Sequence, residues 1–107
     1  MLDDNSLGFK VGDLAIIIAV IQKYPQIEQV ILFGSRAKGN YKTGSDVDIA
    51  LKGDMDRQTL SSLNAYLNEE TNLPYMFDIL DYNSIDNTAL REHIDRVGVI
   101  LYETISI

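Results

Sequence analysis

At 107 residues the chain has the size of one domain, and its 46% apolar residues are enough to build a core. Nine basic residues against sixteen acidic ones leave a net charge of −7, which lacks the basic footprint that direct nucleic-acid binding needs. The absence of cysteine excludes disulfides and thiolate metal sites.

Residues 1–10 are polar and acidic, without the basic and apolar regions of a signal peptide. Residues 14–21 form the longest apolar run, short of the ~20 residues that cross a bilayer. The expected location is therefore the cytoplasm, with no membrane contact.

In chain order, residues 13–24 are predicted as a helix. Leu14, Ile17, Ile18 and Ile21 share one stripe, Asp13 can serve as N-cap, and Pro25 pushes Tyr24 out of helical geometry. Residues 29–33 (QVILF) read as a buried strand, 34–44 as irregular with three glycines, and 47–51 as a second strand. A second helix is expected over 56–68, with Leu60, Leu63 and Leu67 inward, and a third strand over 75–80, entered through Pro74. A third helix over 83–97 takes Asn83 as N-cap and Asp86 near its positive end. Leu90, Ile94 and Val97 form its inner stripe, and Gly98 ends it. Residues 99–102 close the chain as a strand. The expected class is α/β (α+β): a single domain over residues 1–107, one sheet of four strands with helices packed on it.

The chemistry lies between Phe33 and Asp48, with one distant addition. Asp46 and Asp48 stand at i and i+2, so on a strand their carboxylates share one face, roughly 6–7 Å apart along the backbone. Adjacent carboxylates repel, and a hard divalent cation relieves that repulsion. Oxygen ligands without His or Cys suit Mg²⁺ or Mn²⁺ rather than Zn²⁺. Taken alone, Asp-x-Asp fits equally well a turn cap followed by a solvent-exposed carboxylate. An EF-hand is excluded, because Ala50 stands where the third loop ligand belongs.

Gly34 and Ser35 follow a strand directly. A glycine there lets an oxyanion approach the backbone, and the Ser35 hydroxyl adds a donor, although Gly-Ser after a strand is also a common turn. The Walker A spacing is absent. Asp78 sits inside the apolar run Tyr75-Met76-Phe77-Asp78-Ile79-Leu80. It is either a third carboxylate for the same cation or the exposed residue of an edge strand. Arg36 and Lys38 can reach phosphates or belong to a solvated face. Tyr41 can pack near a nucleotide or cover the loop. His93, the single histidine, reads as structural or exposed.

Together these residues resemble a family. Leu-Phe-Gly-Ser-Arg-Ala-Lys-Gly followed by Gly-Ser-Asp-Val-Asp-Ile-Ala-Leu is similar to the signature of DNA polymerase β-like nucleotidyltransferases, in the form carried by the minimal nucleotidyltransferases of bacteria and archaea. The likeness extends to Asp78 and to the closing stretch 94–103. It implies a mixed sheet with helices on one face. It implies that Gly34 and Ser35, with Arg36, hold a nucleoside triphosphate, in the first instance ATP. Asp46 and Asp48 would bind two Mg²⁺ ions, with Mn²⁺ able to replace them, and Asp78 would bind one of them and accept a proton.

The implied reaction is transfer of a nucleoside monophosphate onto a hydroxyl. Relatives that modify antibiotics or tRNA carry a second domain for the acceptor. Here the acceptor would come from a partner chain or from a second copy, which leaves a homo-oligomer open. Members of this size are commonly encoded beside a helical HEPN toxin and act as its antitoxin, some by transferring AMP to it. The acidic charge suits such a basic partner. The alternatives are a binding module that neutralises a partner by contact alone, and a catalytic subunit acting on a small-molecule hydroxyl.

Overall fold

The computed structural model describes residues 3–39, 41 and 45–104. Four strands form one mixed sheet in the order β3-β2-β1-β4. They are β1 (Ile27–Phe33), β2 (Val47–Gly53), β3 (Phe77–Asp81) and β4 (Val99–Glu103). β1 runs antiparallel to β2 and β4, whereas β2 and β3 are parallel. The parallel pair requires a crossover, and α3 (Arg57–Ala65) supplies it.

Helices lie on both faces of the sheet, which corrects the one-sided packing implied above. Leu14, Ile17 and Ile21 of α1 (Asp13–Ile21) and Leu63 of α3 pack with Val30, Leu32, Ile49, Leu51 and Ile79. Ile94 of α4 (Thr88–Val97) packs with Ile31, Phe33, Ala50 and Tyr82 on the opposite face. The period-two alternation of β1 and β2 sorts these residues: both strands are buried on two sides, so both read as near-continuous apolar runs.

Element ends differ from the sequence reading where side chains capture backbone groups. Asp13 is not the cap of α1. Gly12, at φ +94°, occupies that position, and the Asp4 carboxylate accepts from the amides of Gly12 (3.3 Å) and Leu14 (3.0 Å). Asp13 instead accepts from the Tyr75 hydroxyl at 2.6 Å. Because Asp4 satisfies amides at the helix start, Asp4→Ala is expected to cost about 1 kcal/mol. The expected drop in melting temperature is ~4–8 °C, with the far-ultraviolet spectrum retained; an unchanged melting point would remove the cap.

The single helix expected over 83–97 is two elements. Asp81 accepts from the Asn83 amide and the Ser84 hydroxyl, closing a 3-10 turn at Tyr82–Ser84. Asn87, not Asn83, then caps α4 by accepting from the Leu90 amide at 3.1 Å. These short polar side chains compete with helix continuation, which an apolar stripe alone does not register. α3 begins after Asp56, whose carboxylate accepts from Thr59 N at 2.8 Å, and continues as a π-helical turn over Tyr66–Glu70. The stretch read as irregular holds a short helix, α2 (Ser35–Lys38). Residues 40 and 42–44 of that stretch lie outside the described residues.

Candidate active site

β1 ends at Phe33 and the chain turns at Gly34 with φ +76° and ψ −155°. That combination is essentially reserved for glycine. It sends Ser35 directly into α2 and leaves the backbone of Gly34 against Asp48: a β-carbon on Gly34 would overlap Asp48 Oδ2. The close approach requires glycine twice over, for its dihedrals and for its missing side chain.

Asp48 is the second residue of β2 and faces Phe33 across the antiparallel ladder. On its other side the parallel register sets Asp48 opposite Asp78. The neighbours Val47, Ile49, Phe77 and Ile79 are all buried in the core on the α1–α3 face. Strand alternation therefore turns Asp48 and Asp78 together to the other face. Asp46 lies one residue ahead of β2 and is exposed.

Three carboxylates expected from sequence to cooperate are thus brought to one end of the sheet, beside Gly34. Their proximity is felt at Asp48. Partial burial pushes the Asp48 carboxyl above the usual carboxylate range, the charges of Asp78 and Asp46 push it further, and the Arg36 guanidinium opposes the rise.

Asp78 is exposed, on the edge strand β3. The case for it rests on register and not on burial. Asp81, the nearest alternative, pairs with Leu51 at the far end of the ladder and is engaged in its own turn.

The donor set fits a hard divalent cation. It offers only carboxylate oxygens, and Asp48 is destabilised as an anion by its like-charged neighbours. Among the described residues, no three or more Asp, Glu or His side chains are gathered closely enough to hold a metal ion as they stand.

Arg36 is placed differently from Gly34 and Ser35. It is 2% exposed, and its guanidinium donates to the carbonyls of Gly8 (2.8 Å), Leu7 (3.3 Å) and Ser45 (2.7 Å). These carbonyls hold the guanidinium as a buried brace, whereas a nucleotide contact was expected of it. Tyr41 sets its ring against Arg36 and donates its hydroxyl to Asn5 O at 3.1 Å. Lys38 is exposed. His93 is half-buried, edge-on to Phe33. The N-terminal partners of Arg36 carried no sequence signal, since Leu7, Gly8 and Phe9 stand in a polar stretch without periodicity.

Residues 16–106 match the family model described as polymerase beta, nucleotidyltransferase. A Haemophilus influenzae protein named probable protein adenylyltransferase MntA is 32% identical over 99 residues, covering 91% of this chain and 85% of that one. Among solved structures, a toxin–antitoxin with AMP-PNP superposes with a TM-score of 0.68 at 24% identity, covering 96% of this chain and 75% of that chain. A tri-AMPylated Shewanella oneidensis HEPN toxin in complex with MNT antitoxin gives 0.64 at 23% identity, covering 86% and 71%. At these identities the structural likeness speaks for the fold.

Proposed function

The chain belongs to the polymerase β nucleotidyltransferase family, and from that premise we propose that it transfers AMP from ATP, with Mg²⁺, onto a hydroxyl of a partner protein. The observation that carries this reading is the side-by-side register of Asp48 and Asp78 next to the glycine-only turn at Gly34. A turn bare of any side chain and a carboxylate pair stand at the same sheet end.

In this reading Gly34 and Ser35 hold the triphosphate by backbone and hydroxyl donors. Asp46, Asp48 and Asp78 are the residues that would hold Mg²⁺, two ions in the fuller form of the proposal, with Mn²⁺ as a substitute. When bound, the metal supplies charge neutralisation on the phosphates and a lowered barrier to in-line displacement. Asp78, exposed on the edge strand, accepts the proton of the attacking hydroxyl. The hydroxyl oxygen forms a bond to the α-phosphorus, the α–β bridging bond breaks, and pyrophosphate leaves with the electron pair.

Adenylate is favoured because the Haemophilus influenzae relative is named an adenylyltransferase. A HEPN-type toxin is favoured as partner because the structural neighbours include an MNT antitoxin in complex with one. The net charge of −7 favours a basic partner in solution.

Asp78→Asn tests the catalytic reading against neutralisation by contact. It keeps the shape of the carboxylate and removes the proton acceptor. Transfer to the partner is expected to fall ~10²–10⁴-fold while complex formation is retained. The paired measurement is label on the partner and the partner's own residual activity. Lost transfer with unchanged neutralisation would show that contact, not transfer, is the biological function. Retained transfer would remove Asp78 from the site.

A further inference from the structure

Arg36 occupies the position where two site-bearing segments meet the N-terminal segment. It is the second residue of α2, directly after Ser35. Its Nη2 holds the carbonyl of Ser45, the residue before Asp46. Its Nη1 holds the carbonyls of Leu7 and Gly8 in the N-terminal segment. The guanidinium lies against the rings of Phe9 (5.1 Å), Tyr41 (5.8 Å) and Tyr75 (5.0 Å).

Tyr75 stands three residues before Asp78 and is itself fixed. Its hydroxyl donates to Asp13 at 2.6 Å and accepts from the Lys10 amide at 2.9 Å. Burial and the bond to Asp13 push the phenol's pKa upward, which keeps its proton in place.

We propose that Arg36 is a positioning residue: its buried guanidinium, clamped by the N-terminal segment, sets the separation between Gly34–Ser35 and the carboxylates of Asp46, Asp48 and Asp78. The inference rests on the catalytic reading above for its consequence, but the clamp itself is a property of the fold.

A charge removed from water is costly, and although Nη1 and Nη2 are satisfied here, the buried Nε has no hydrogen-bond partner among the described residues, so an arginine is a poor choice for merely filling space. A planar fork that bonds several carbonyls at fixed angles is instead suited to holding loops in register, and lysine cannot reproduce it. Near-complete burial also leaves Arg36 almost no surface to offer a ligand. The N-terminal segment thereby becomes part of the site's support, although it contributes none of the residues expected to touch substrate.

Gly8 gives access to the clamp from outside the site. It has φ +81°, and a β-carbon there would stand 2.7 Å from Arg36 Nη1 and 2.8 Å from the Tyr41 ring. The test compares Arg36→Lys and Gly8→Ala with wild type in the complex with its partner. Three quantities are read: ATP dissociation constant with Mg²⁺, kcat for transfer, and amide hydrogen exchange. A misplacement near 1 Å at a reacting centre costs on the order of 10²-fold.

Both variants are therefore expected to lose kcat by about tenfold to a hundredfold while ATP affinity stays close to that of wild type. Exchange at Ser35 and Asp46 should rise together, with α3 and the middle of β1 unchanged. Affinity falling in step with kcat in Arg36→Lys, with Gly8→Ala normal, would make Arg36 a nucleotide ligand and overturn the proposal. Unchanged kcat and unchanged exchange in both variants would also overturn it. If Arg36→Lys does not fold, Gly8→Ala decides alone. If wild type shows no transfer, the catalytic reading fails while the exchange measurement still decides whether Arg36 holds the loops.

Discussion

Asp48→Asn is expected to lower nucleotide transfer by on the order of 10³-fold or more, since metal-assisted charge stabilisation is worth several kcal/mol and each tenfold in rate is about 1.4 kcal/mol. Asp48 is the central carboxylate: Asp78 is its register partner, Asp46 lies two residues before it, and the backbone of Gly34 closes over it.

The same change has the opposite effect on the metal-free fold. Burial and two like charges disfavour the Asp48 anion, so the neutral amide relieves repulsion and the variant should melt slightly above wild type without divalent ions. With Mg²⁺ and ATP present the order should reverse, because only wild type gains the ligand-binding term. Asp46→Ala should likewise lose transfer and keep the fold. Near-normal transfer by either variant would refute the metal assignment.

Gly34→Ala is expected to be strongly damaging to transfer. Two effects add. The dihedrals at this turn are strained for any other residue, by about 1–3 kcal/mol. The new β-carbon would also overlap the Asp48 carboxylate, which must move or push the turn away from it. Transfer should fall to the level of Asp48→Asn, and the melting temperature should drop as well.

Gly39→Ala is the matched control. Gly39 has φ +84°, yet a β-carbon there meets nothing within 4 Å. It should show the strain cost in melting and keep most transfer. Equal loss of transfer in the two alanine variants would mean that backbone strain, and not contact with Asp48, governs the turn.

The residues of the site were legible in the sequence because their chemistry is local. Gly34-Ser35 after an apolar run, and Asp46-x-Asp48 entering another, are patterns of neighbours, and strand alternation alone aligns the two carboxylates. The partnership of Asp48 with Asp78 was not legible in the same way. It depends on β2 and β3 pairing in parallel, one residue against another across the α3 crossover, and periodicity does not fix register between distant strands. The edge location of β3 also removed the burial argument for Asp78 and replaced it with one from adjacency.

Arg36 shows the reverse failure. In sequence it is a cation beside a phosphate loop; in the fold, Leu7, Gly8 and Ser45 claim it from three places in the chain. The cap of α1 was misassigned for a related reason. Asp4 caps α1 from ten positions before Leu14, the amide it satisfies best, and no local rule reaches that far. The apolar stripes, by contrast, located α1, α3 and α4 correctly, because burying one helix face is a local requirement that tertiary structure then fulfils.

The most direct test of the central claim follows the label. The chain is incubated with its partner protein, Mg²⁺ and ATP labelled either at the α- or at the γ-phosphate. The account predicts label on the partner from the α-position only, with pyrophosphate released in equal amount, and loss of both when the metal is chelated or Asp48 is changed to Asn. Label arriving from the γ-position, or a partner that is neutralised without acquiring any label, would contradict it.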